Sequence, residues 1–328
     1  MRKIKCLFIG NDQQAFKAVL EYAAKVSWLS VVCKPVNPRE ARHYLQEFDI
    51  DILFCDVCTV IEKEMENFLL NNRARLQVVV LATPHSLHTE QIIACARAGK
   101  AVFCEKPLAL KAADAKRSVE ACKQAGVMLG IGTNKRFWPC MRELRRVVDS
   151  SVLGRLLHVE GHYSNENTGK HFSSWRTDPA EAPAAGLTGS GIHVLDALVS
   201  YAGPARKVQA QVLSLQSQPN PLDTIVVMFE FERGLSGTLA AIRSTPFYWR
   251  IHIFGSAGSA EALGEMELVV RLNGQAPQRT IYDPVDSLAA EFDAFADAVA
   301  GRAVYPISGD EMIATIAVFE TVVASVNA

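Results

Sequence analysis

The sequence predicts an α/β protein with a doubly wound parallel sheet, followed by an α+β domain with an open, mainly antiparallel sheet. Apolar runs alternate with helical patterns from Ile4 to Gly132, as they do where each strand is followed by a helix that covers the sheet. After Arg136 strand patterns follow one another, with hairpin turns such as that at residues 232–234, which is typical of antiparallel pairing. We expect a first domain over residues 1–133 and a second over residues 134–328.

Each predicted element follows from an apolar run or from helical spacing. In the first domain the predicted strands cover residues 4–9, 29–33, 50–55, 78–82, 101–104 and 128–132. In the second, a helix over residues 140–150 precedes strands over residues 156–163, 207–215, 224–231, 236–242, 249–254, 260–263 and 267–272. A helical tail begins at Ser287, and its Glu291, Asp293 and Asp297 fit one exposed face.

Residues 80–110, VLATPHSLHTEQIIACARAGKAVFCEKPLAL, set two apolar strands around one helix. The helical spacing over residues 88–98 ends at Gly99, the residue best able to adopt the left-handed cap conformation. Thr83 and Pro84 close the first strand, and Glu105 and Lys106 close the second. In open parallel sheets ligands bind outside the carboxyl ends of the strands, so we expect these four residues to face one cleft.

Lys106 is the reactive group that this cleft offers. Pro107 disfavours helical geometry at Lys106 and permits a cis peptide bond, and either conformation aims the ammonium along the cleft. A lysine held in this way polarises or protonates a substrate oxygen. The alternative is a solvated lysine at a strand end.

These residues resemble the glucose-fructose oxidoreductase, inositol dehydrogenase and rhizopine catabolism family, abbreviated Gfo/Idh/MocA. The shared motifs are TP-x-x-x-H (TPHSLH), A-G-K-x-V (AGKAV) and E-K-P, in order and at family spacing. The likeness extends from about Val78 to the C-terminus and is poor over residues 1–77. It implies a Rossmann-like first domain that binds NAD or NADP, with cofactor contacts from Gly10, Thr83, Pro84, His88, Glu105 and Lys106.

The resemblance also implies the catalytic residues, Lys106 and His193. In GSGIHVLD, His193 and Asp196 lie one helical turn apart, on a face that the family directs at the nicotinamide and the substrate. Histidine is the best acid–base candidate because its unperturbed pKa is near physiological pH. Many family dehydrogenases carry an aspartate four residues earlier, where this chain has Gly189. Either Lys106 and His193 share the proton transfer, or the enzyme uses another chemistry.

Further polar residues of the second domain are candidates for substrate binding. Trp175 and Arg176, in an irregular segment, offer stacking and guanidinium hydrogen bonds to a sugar, and Asp196 is a third candidate contact. Alternation places His158, Glu160 and His162 on one strand face. We predict that this face serves the cleft or subunit contact and that the protein has no metal site.

The first strand–turn–helix departs from the dinucleotide-binding pattern. In place of G-x-G-x-x-G the chain has Gly10, Asp12 and Ala15, so only the first glycine is present. The acidic residue that would bind a ribose hydroxyl is absent after the second strand, where Lys34 and Arg39 offer partners for a 2′-phosphate. The choice between NAD and NADP therefore stays open.

The N-terminal part also resembles a response-regulator receiver domain, which shares the flavodoxin-like strand order. Asp56 stands at the phospho-acceptor position, but Gly10 and Asn11 replace acidic residues that would hold Mg²⁺. A working receiver is not expected. Two explanations stay open: natural divergence of the cofactor half, or a chimera joined near Gln77.

Composition and charge argue against nucleic acid and membrane as partners. The formal net charge is −1, which gives no basic excess for nucleic acid, and no apolar run approaches the roughly 20 residues that span a bilayer. The N-terminus leads directly into a strand, so we expect a cytoplasmic protein with reduced cysteines. Cys55 and Cys58 form a single C-x-x-C without a second pair, so a zinc or redox role is not expected.

We therefore expect an NAD(P)-dependent oxidoreductase that moves a hydride between the nicotinamide and a hydroxyl-bearing carbon of a sugar, cyclitol or related polyol. An open sheet with one exposed face predicts a homo-oligomer, either a dimer or a tetramer. The competing hypothesis is a non-catalytic protein, degenerate or chimeric, that keeps this architecture without binding the dinucleotide.

Overall fold

The structure is a computed structural model that describes residues 4–9, 29–31, 52–55, 77–165, 174–184, 186–213, 224–243 and 245–327. The predictions for Gly10 and the turn after it, for Lys34 and Arg39, and for Asp56 concern residues outside these ranges. The chain forms two compact units. The first contains the described chain up to Gly132, except Leu110–Ala112, together with Phe295–Gly309. The second contains the remaining residues.

The first unit is built on a six-stranded parallel sheet. Its strands are β1 (Ile4–Ile9), β2 (Leu29–Val31), β3 (Ile52–Cys55), β4 (Val78–Leu81), β5 (Ala101–Glu105) and β6 (Leu129–Gly132). Their order is β2-β1-β3-β4-β5-β6, and each described pairing is parallel. The order reverses between β1 and β3, which is the switch point where such sheets bind ligands at the carboxyl ends. The predicted doubly wound sheet is confirmed.

Two helices of the first unit connect these strands, α1 (His88–Arg97) between β4 and β5 and α2 (Ala112–Ala125) between β5 and β6. Helix α1 ends as predicted, because Gly99 has a φ of 71° and its N–H donates to the Ala96 carbonyl. The returning segment Phe295–Gly309 packs on the same sheet. Phe295 meets Phe103 edge-on at 5.3 Å between ring centroids, and the Tyr305 hydroxyl donates to the Ile131 carbonyl.

The second unit carries an eight-stranded sheet. Its strands are β7 (Leu156–Asn165), β8 (Ala205–Leu213), β9 (Thr224–Phe231), β10 (Ser236–Arg243), β11 (Tyr248–Gly255), β12 (Gly258–Leu263), β13 (Glu267–Leu272) and β14 (Gln278–Ile281). The order is β14-β13-β12-β11-β7-β10-β9-β8. The β7–β10 pair is parallel and the other described pairs are antiparallel, as expected for a mainly antiparallel sheet.

The described helices outside the first connections are α3 (Pro139–Asp149), α4 (Ile192–Ala202), α5 (Ser287–Val299) and α6 (Gly309–Val326). Helix α4 packs directly on β7 because Gly161 has no side chain. A Cβ at Gly161 would stand 2.2 Å from Val194 Cγ1, so this glycine lets the helix approach the strand. The predicted exposed face at Glu291 is wrong, since that residue is buried in α5. Within the described ranges, no helix combines the length and hydropathy needed to cross a bilayer.

Candidate functional site

In the first unit, His88 ties together the segments that follow β4 and β5. Its ring is fully buried, with Nδ1 2.9 Å from the Pro107 carbonyl oxygen and Nε2 3.0 Å from the Thr83 carbonyl oxygen. Either nitrogen can donate, depending on the tautomer. Because both nitrogens face backbone carbonyls, the ring holds the peptide after Lys106 in place and is enclosed by protein. Direct contact between this ring and a cofactor, as the sequence suggested, does not fit its burial.

The other residues at these two strand ends divide into buried and accessible groups. Thr83 and Pro84 are buried, and the Thr83 hydroxyl donates to Gln91 Oε1 at 2.6 Å. Glu105 and Lys106 are partly exposed, and the Lys106–Pro107 peptide bond is cis, as the sequence permitted. Gly132 leaves room for the Glu105 carboxylate, which stands 3.1 Å from the position of a Cβ there. Of these four residues at the ends of β4 and β5, Glu105 and Lys106 therefore have the side chains that are accessible to a ligand.

In the second unit, His193 and Asp196 lie in the first turns of α4. A π-helical turn, Leu187–Gly191, leads into α4, and such turns are frequent at functional sites. Nearly every residue of α4 is buried, including His193 at 9% and Asp196 at 3% exposure, so both polar side chains are enclosed by the unit's core. A Cβ built at Gly189 meets no atom within 4 Å, so the helix has space for a side chain there.

Asp196 forms a buried ion pair with Arg136. The Arg136 Nε donates to Asp196 Oδ2 at 2.6 Å, its Nη2 donates to Oδ1 at 2.8 Å, and its Nη1 donates to Glu311 Oε1 at 2.9 Å. Burial alone would lower the pKa of Arg136, but the two carboxylates outweigh it and raise that pKa above its ordinary value. Both carboxylate oxygens of Asp196 therefore accept hydrogen bonds from the Arg136 guanidinium. The sequence did not predict this ion pair.

A small cavity of about 150 Å³, including space open to solvent, lies beside this pair. It is lined by Thr133, Lys135, Arg136, Met141, His193, Asp196, Ala197 and Trp249. The Lys135 ammonium lies over three aromatic rings, 4.1 Å from the Trp138 centroid, 5.1 Å from Tyr163 and 5.7 Å from Trp249. The cavity thus brings the predicted acid–base residue His193 together with cationic and aromatic groups.

Trp175 and Arg176 lie elsewhere in the second unit, on the short 3₁₀ turn Ser174–Thr177. The Arg176 guanidinium stacks on the Trp175 ring at 4.4 Å, and both side chains are partly exposed. Neither residue lines the cavity beside His193. The structure therefore pairs these two candidate substrate contacts with each other.

The sheet face with His158, Glu160 and His162 is occupied by a charged network. Glu160 accepts from Arg250 at 2.8 Å, and Arg250 also donates to Glu261 at 2.9 Å and lies against His252. Burial lowers the pKa of His252 to about 4, and Arg250 adds to this shift while Glu261 opposes it. Among the described residues no group of three or more histidine, cysteine, aspartate or glutamate side chains is placed to hold a metal ion.

Sequence patterns assigned no role to Thr133, Lys135 or Arg136, and they placed Trp249 only in a strand. The available signal was the density of cationic and aromatic residues directly after a strand of the parallel sheet. Their partners Asp196 and Trp249 lie 60 and more residues away, so only the fold reveals the grouping.

Two sequence models of one family match the chain. The oxidoreductase family with an NAD-binding Rossmann fold matches residues 4–133, and the GFO/IDH/MocA C-terminal domain matches residues 141–261. Together they cover well over half of the 328 residues. The protein therefore belongs to the Gfo/Idh/MocA family of oxidoreductases.

Individual relatives agree with this membership. The chain is 27% identical over 200 residues to trans-1,2-dihydrobenzene-1,2-diol dehydrogenase of Bos taurus, covering 60% of this chain and 58% of that protein. It is 29% identical over 218 residues to myo-inositol 2-dehydrogenase of Thermotoga maritima, covering 62% and 61%. The matches thus span about three fifths of these relatives. A structure of levoglucosan dehydrogenase with NADH and L-sorbose shares the fold, with a TM-score of 0.76, 22% identity and coverage of 100% and 97%.

The family match also decides between the two explanations of the N-terminal part. It begins at residue 4 and runs through the segment that resembles a receiver domain. A chimera joined near Gln77 is therefore not favoured, and natural divergence within the family explains the segment.

Proposed function

We propose that the protein is an NAD(P)-dependent oxidoreductase that acts on a CH–OH group of a sugar, cyclitol or related polyol. The observation that carries the proposal is the cavity of the second unit, where His193 stands beside the Arg136–Asp196 ion pair. This cavity belongs to a chain whose first unit matches an NAD-binding family. The relatives named above are dehydrogenases of diols and cyclitols, which supports the same substrate class.

The first unit fits a dinucleotide by its topology. The reversal of strand order between β1 and β3 creates the crevice that nucleotides occupy in such sheets, and Glu105 and Lys106 are accessible at the carboxyl end of β5. We assign cofactor contacts to Gly10, Glu105, Lys106 and the backbone at Thr83 and Pro84. His88 supports these contacts by fixing the Thr83 and Pro107 carbonyls. NAD and NADP are both retained as candidates.

The dinucleotide, when bound, supplies the acceptor for the hydrogen and electron pair that leave the substrate carbon. The protein itself must accept the proton that leaves the substrate hydroxyl. We assign this proton transfer to the two candidates that the family resemblance names, His193 of the second unit and Lys106 of the first. As the C–O bond becomes C=O, the proton moves to the imidazole and the carbon's hydrogen leaves with its two electrons, so atoms and charge balance.

The remaining candidate substrate residues receive different roles. Asp196 is committed to Arg136, so we assign it to orienting that guanidinium at the cavity wall. Trp175 and Arg176 form a stacked, partly exposed pair, and we retain them as contacts for an outer part of the polyol. This division leaves His193 as the polar group of α4 that handles the substrate proton.

We also propose self-association and a reducing compartment. The sheet face opposite α4 exposes Val226 by 40% and Met228 by 53%, which is apolar surface suited to a second copy in a dimer or tetramer. The buried cysteines Cys104, Cys122 and Cys140 form no disulfide bond, which suits the cytoplasm. Light scattering coupled to gel filtration measures the first of these proposals, and a monomer at micromolar concentration would contradict it.

The activity is tested by mixing the protein with NAD⁺ or NADP⁺ and with each member of a panel of sugars, cyclitols and their acids. Absorbance at 340 nm then measures formation of the reduced dinucleotide. We expect reduction of one dinucleotide by at least one neutral polyol. His193→Asn, which keeps a polar side chain of similar size, should abolish most of this turnover. A wild-type protein that reduces neither dinucleotide with any member, while remaining folded, would favour the non-catalytic alternative.

A further inference from the structure

Among the buried polar atoms of the second unit that have no hydrogen-bond partner within the described part of the chain, two belong to residues that line the cavity beside His193. They are the Trp249 indole Nε1 and the Thr133 hydroxyl, on residues that are 1% and 3% exposed. More than nine in ten buried polar groups in proteins are satisfied, and leaving one unsatisfied costs about 1–3 kcal/mol. Two such groups therefore call for a common explanation.

Both atoms belong to residues that line the cavity beside His193. Thr133 directly follows β6, and Trp249 lies in β11 opposite Tyr163 of β7. The odd-numbered residues of β11 face the helix-covered core, which puts the indole on the same side of the sheet as α4. The two donors are thus placed around the space where the proposed acid–base residue acts.

The indole cannot turn away to find another acceptor because its ring is packed from several sides. Trp138 meets it edge-on at 5.2 Å between centroids, Tyr163 at 5.8 Å, and the Lys135 ammonium stands 5.7 Å from its centre. Tight ring packing fixes the direction of the N–H. Within the described residues, this geometry leaves a ligand atom in the cavity as the partner of the N–H.

The chemistry of the donors defines that ligand atom. An indole N–H only donates, so its partner is an acceptor oxygen, either a hydroxyl or a carbonyl. Arg136 forms ion pairs with the carboxylates of Asp196 and Glu311, and together with the Lys135 ammonium these groups have no net charge, so this side of the cavity has no excess positive charge to attract an anionic sugar. Even with the space open to solvent included, the volume of about 150 Å³ is too small for a whole sugar ring, so the pair can meet at most a single oxygen at the edge of the substrate.

We propose that Trp249 and Thr133 form a substrate-binding pair that hydrogen-bonds one uncharged oxygen of the polyol next to the reacting carbon. This inference rests on the proposed function for the identity of the ligand. It makes the pair a specificity determinant: a neutral polyol with a hydroxyl at that position binds, and its deoxy analogue binds less well.

Nuclear magnetic resonance of the protein labelled with ¹⁵N-tryptophan tests the contact without turnover. The chain has four tryptophans, and the indole resonance missing from Trp249→Phe identifies the one of interest. Adding D-glucose or myo-inositol should shift this resonance downfield. Trp249→Phe keeps an aromatic ring in place but removes the donor. Thr133→Val removes the hydroxyl at nearly constant volume, and Thr133→Ser restores it.

Steady-state kinetics on the better of the two polyols and its monodeoxy analogues completes the test. We expect Trp249→Phe to lower kcat/KM about tenfold on the parent polyol and to change it little on one monodeoxy analogue, the one that lacks the bound oxygen. Thr133→Val should lose about threefold to tenfold, and Thr133→Ser should recover most of that loss. D-Glucuronate should bind no more tightly than D-glucose.

The outcomes separate this inference from the proposed function. If the Trp249 resonance shifts but no turnover is found, the binding pair is supported and the proposed activity is refuted. Turnover with an unmoved Trp249 resonance, or an equal loss in Trp249→Phe on the parent and every deoxy analogue, overturns the pair while the activity stands. Tighter binding of D-glucuronate than of D-glucose overturns the assignment to an uncharged oxygen.

Discussion

Replacing Arg136 with methionine removes the cation from the buried pair of the second unit while keeping a long side chain of similar length. Arg136 has a side chain that is 14% exposed, and its partner Asp196 is 4% exposed. Without the guanidinium, the side-chain donor left to the Asp196 carboxylate among the described residues is the Thr315 hydroxyl, at the long distance of 3.5 Å. A buried carboxylate would then lack its counter-charge.

The size of the effect follows from the burial of each partner. Removing one member of a buried ion pair costs about 3–5 kcal/mol, which we expect for Arg136→Met. Asp196→Asn leaves Arg136 paired with Glu311 and should cost about 2–3 kcal/mol, as for a lost hydrogen bond to a charged group. Glu311 is 28% exposed, so Glu311→Gln should cost only about 1 kcal/mol.

Urea unfolding followed by tryptophan fluorescence measures these free energies. Trp138, Trp175 and Trp249 lie in the second unit, so the signal reports mainly on the unit that contains the ion pair. The urea midpoint should be highest for Glu311→Gln, lower for Asp196→Asn and lowest for Arg136→Met, while the slopes of the transitions stay equal.

The double variant Arg136→Met with Asp196→Leu is the control. It removes both charges, and it should recover to within about 1 kcal/mol of the unsubstituted protein, since apolar replacement of a buried pair is often neutral. An Arg136→Met variant no less stable than Glu311→Gln, or a double variant as unstable as Arg136→Met alone, would refute the reasoning from burial.

Three further predictions concern single residues. Lys106→Ala should reduce turnover at least a hundredfold while the far-ultraviolet circular dichroism spectrum stays unchanged, because it removes a proton-handling group from a partly exposed position; activity equal to that of the unsubstituted protein would remove Lys106 from the mechanism. His88→Leu should cost about 1–3 kcal/mol in thermal unfolding, because the backbone carbonyl that accepts from the ring N–H then loses its donor in a buried place, and an unchanged melting temperature would contradict this. The pKa of His252 falls from 6.5 to about 4 on folding, so the stability that the neutral ring contributes should be present above pH 6.5 and lost as the pH falls towards 4. His252→Gln should flatten the unfolding free energy across that window, and an identical pH dependence in both proteins would exclude His252 as its source.

The sequence predicted those helices and strands whose formation depends on residues within or next to the element itself. Helix α1 stops shortly before Gly99, whose left-handed conformation closes it. Continuous apolar runs were enough to place β4 and β5, and alternation was enough to place β9, within a residue of their observed bounds. Strand β14 was missed, since its QRTI sequence is mostly polar and mostly exposed and carries no periodic signal. It is held by pairing with β13, which is a tertiary effect.

The candidate site was only partly predictable for the same reason. His193 and Lys106 stand in short motifs, so the sequence named them. The occupation of Asp196 by Arg136 depends on two segments 60 residues apart, and the unsatisfied Trp249 indole depends on the rings that pack around it. Motifs identify residue types at strand and helix ends, but the partners that set their roles come from packing.

Calorimetric titration with NAD⁺, NADH, NADP⁺ and NADPH tests the central claim most directly, because the proposed chemistry requires a bound dinucleotide. The departure from G-x-G-x-x-G after Gly10 makes this binding the decisive step. We predict saturable binding of at least one of the four at micromolar to sub-millimolar concentration. A folded protein that releases or absorbs no heat of binding with any of them would contradict the assignment as an NAD(P)-dependent oxidoreductase.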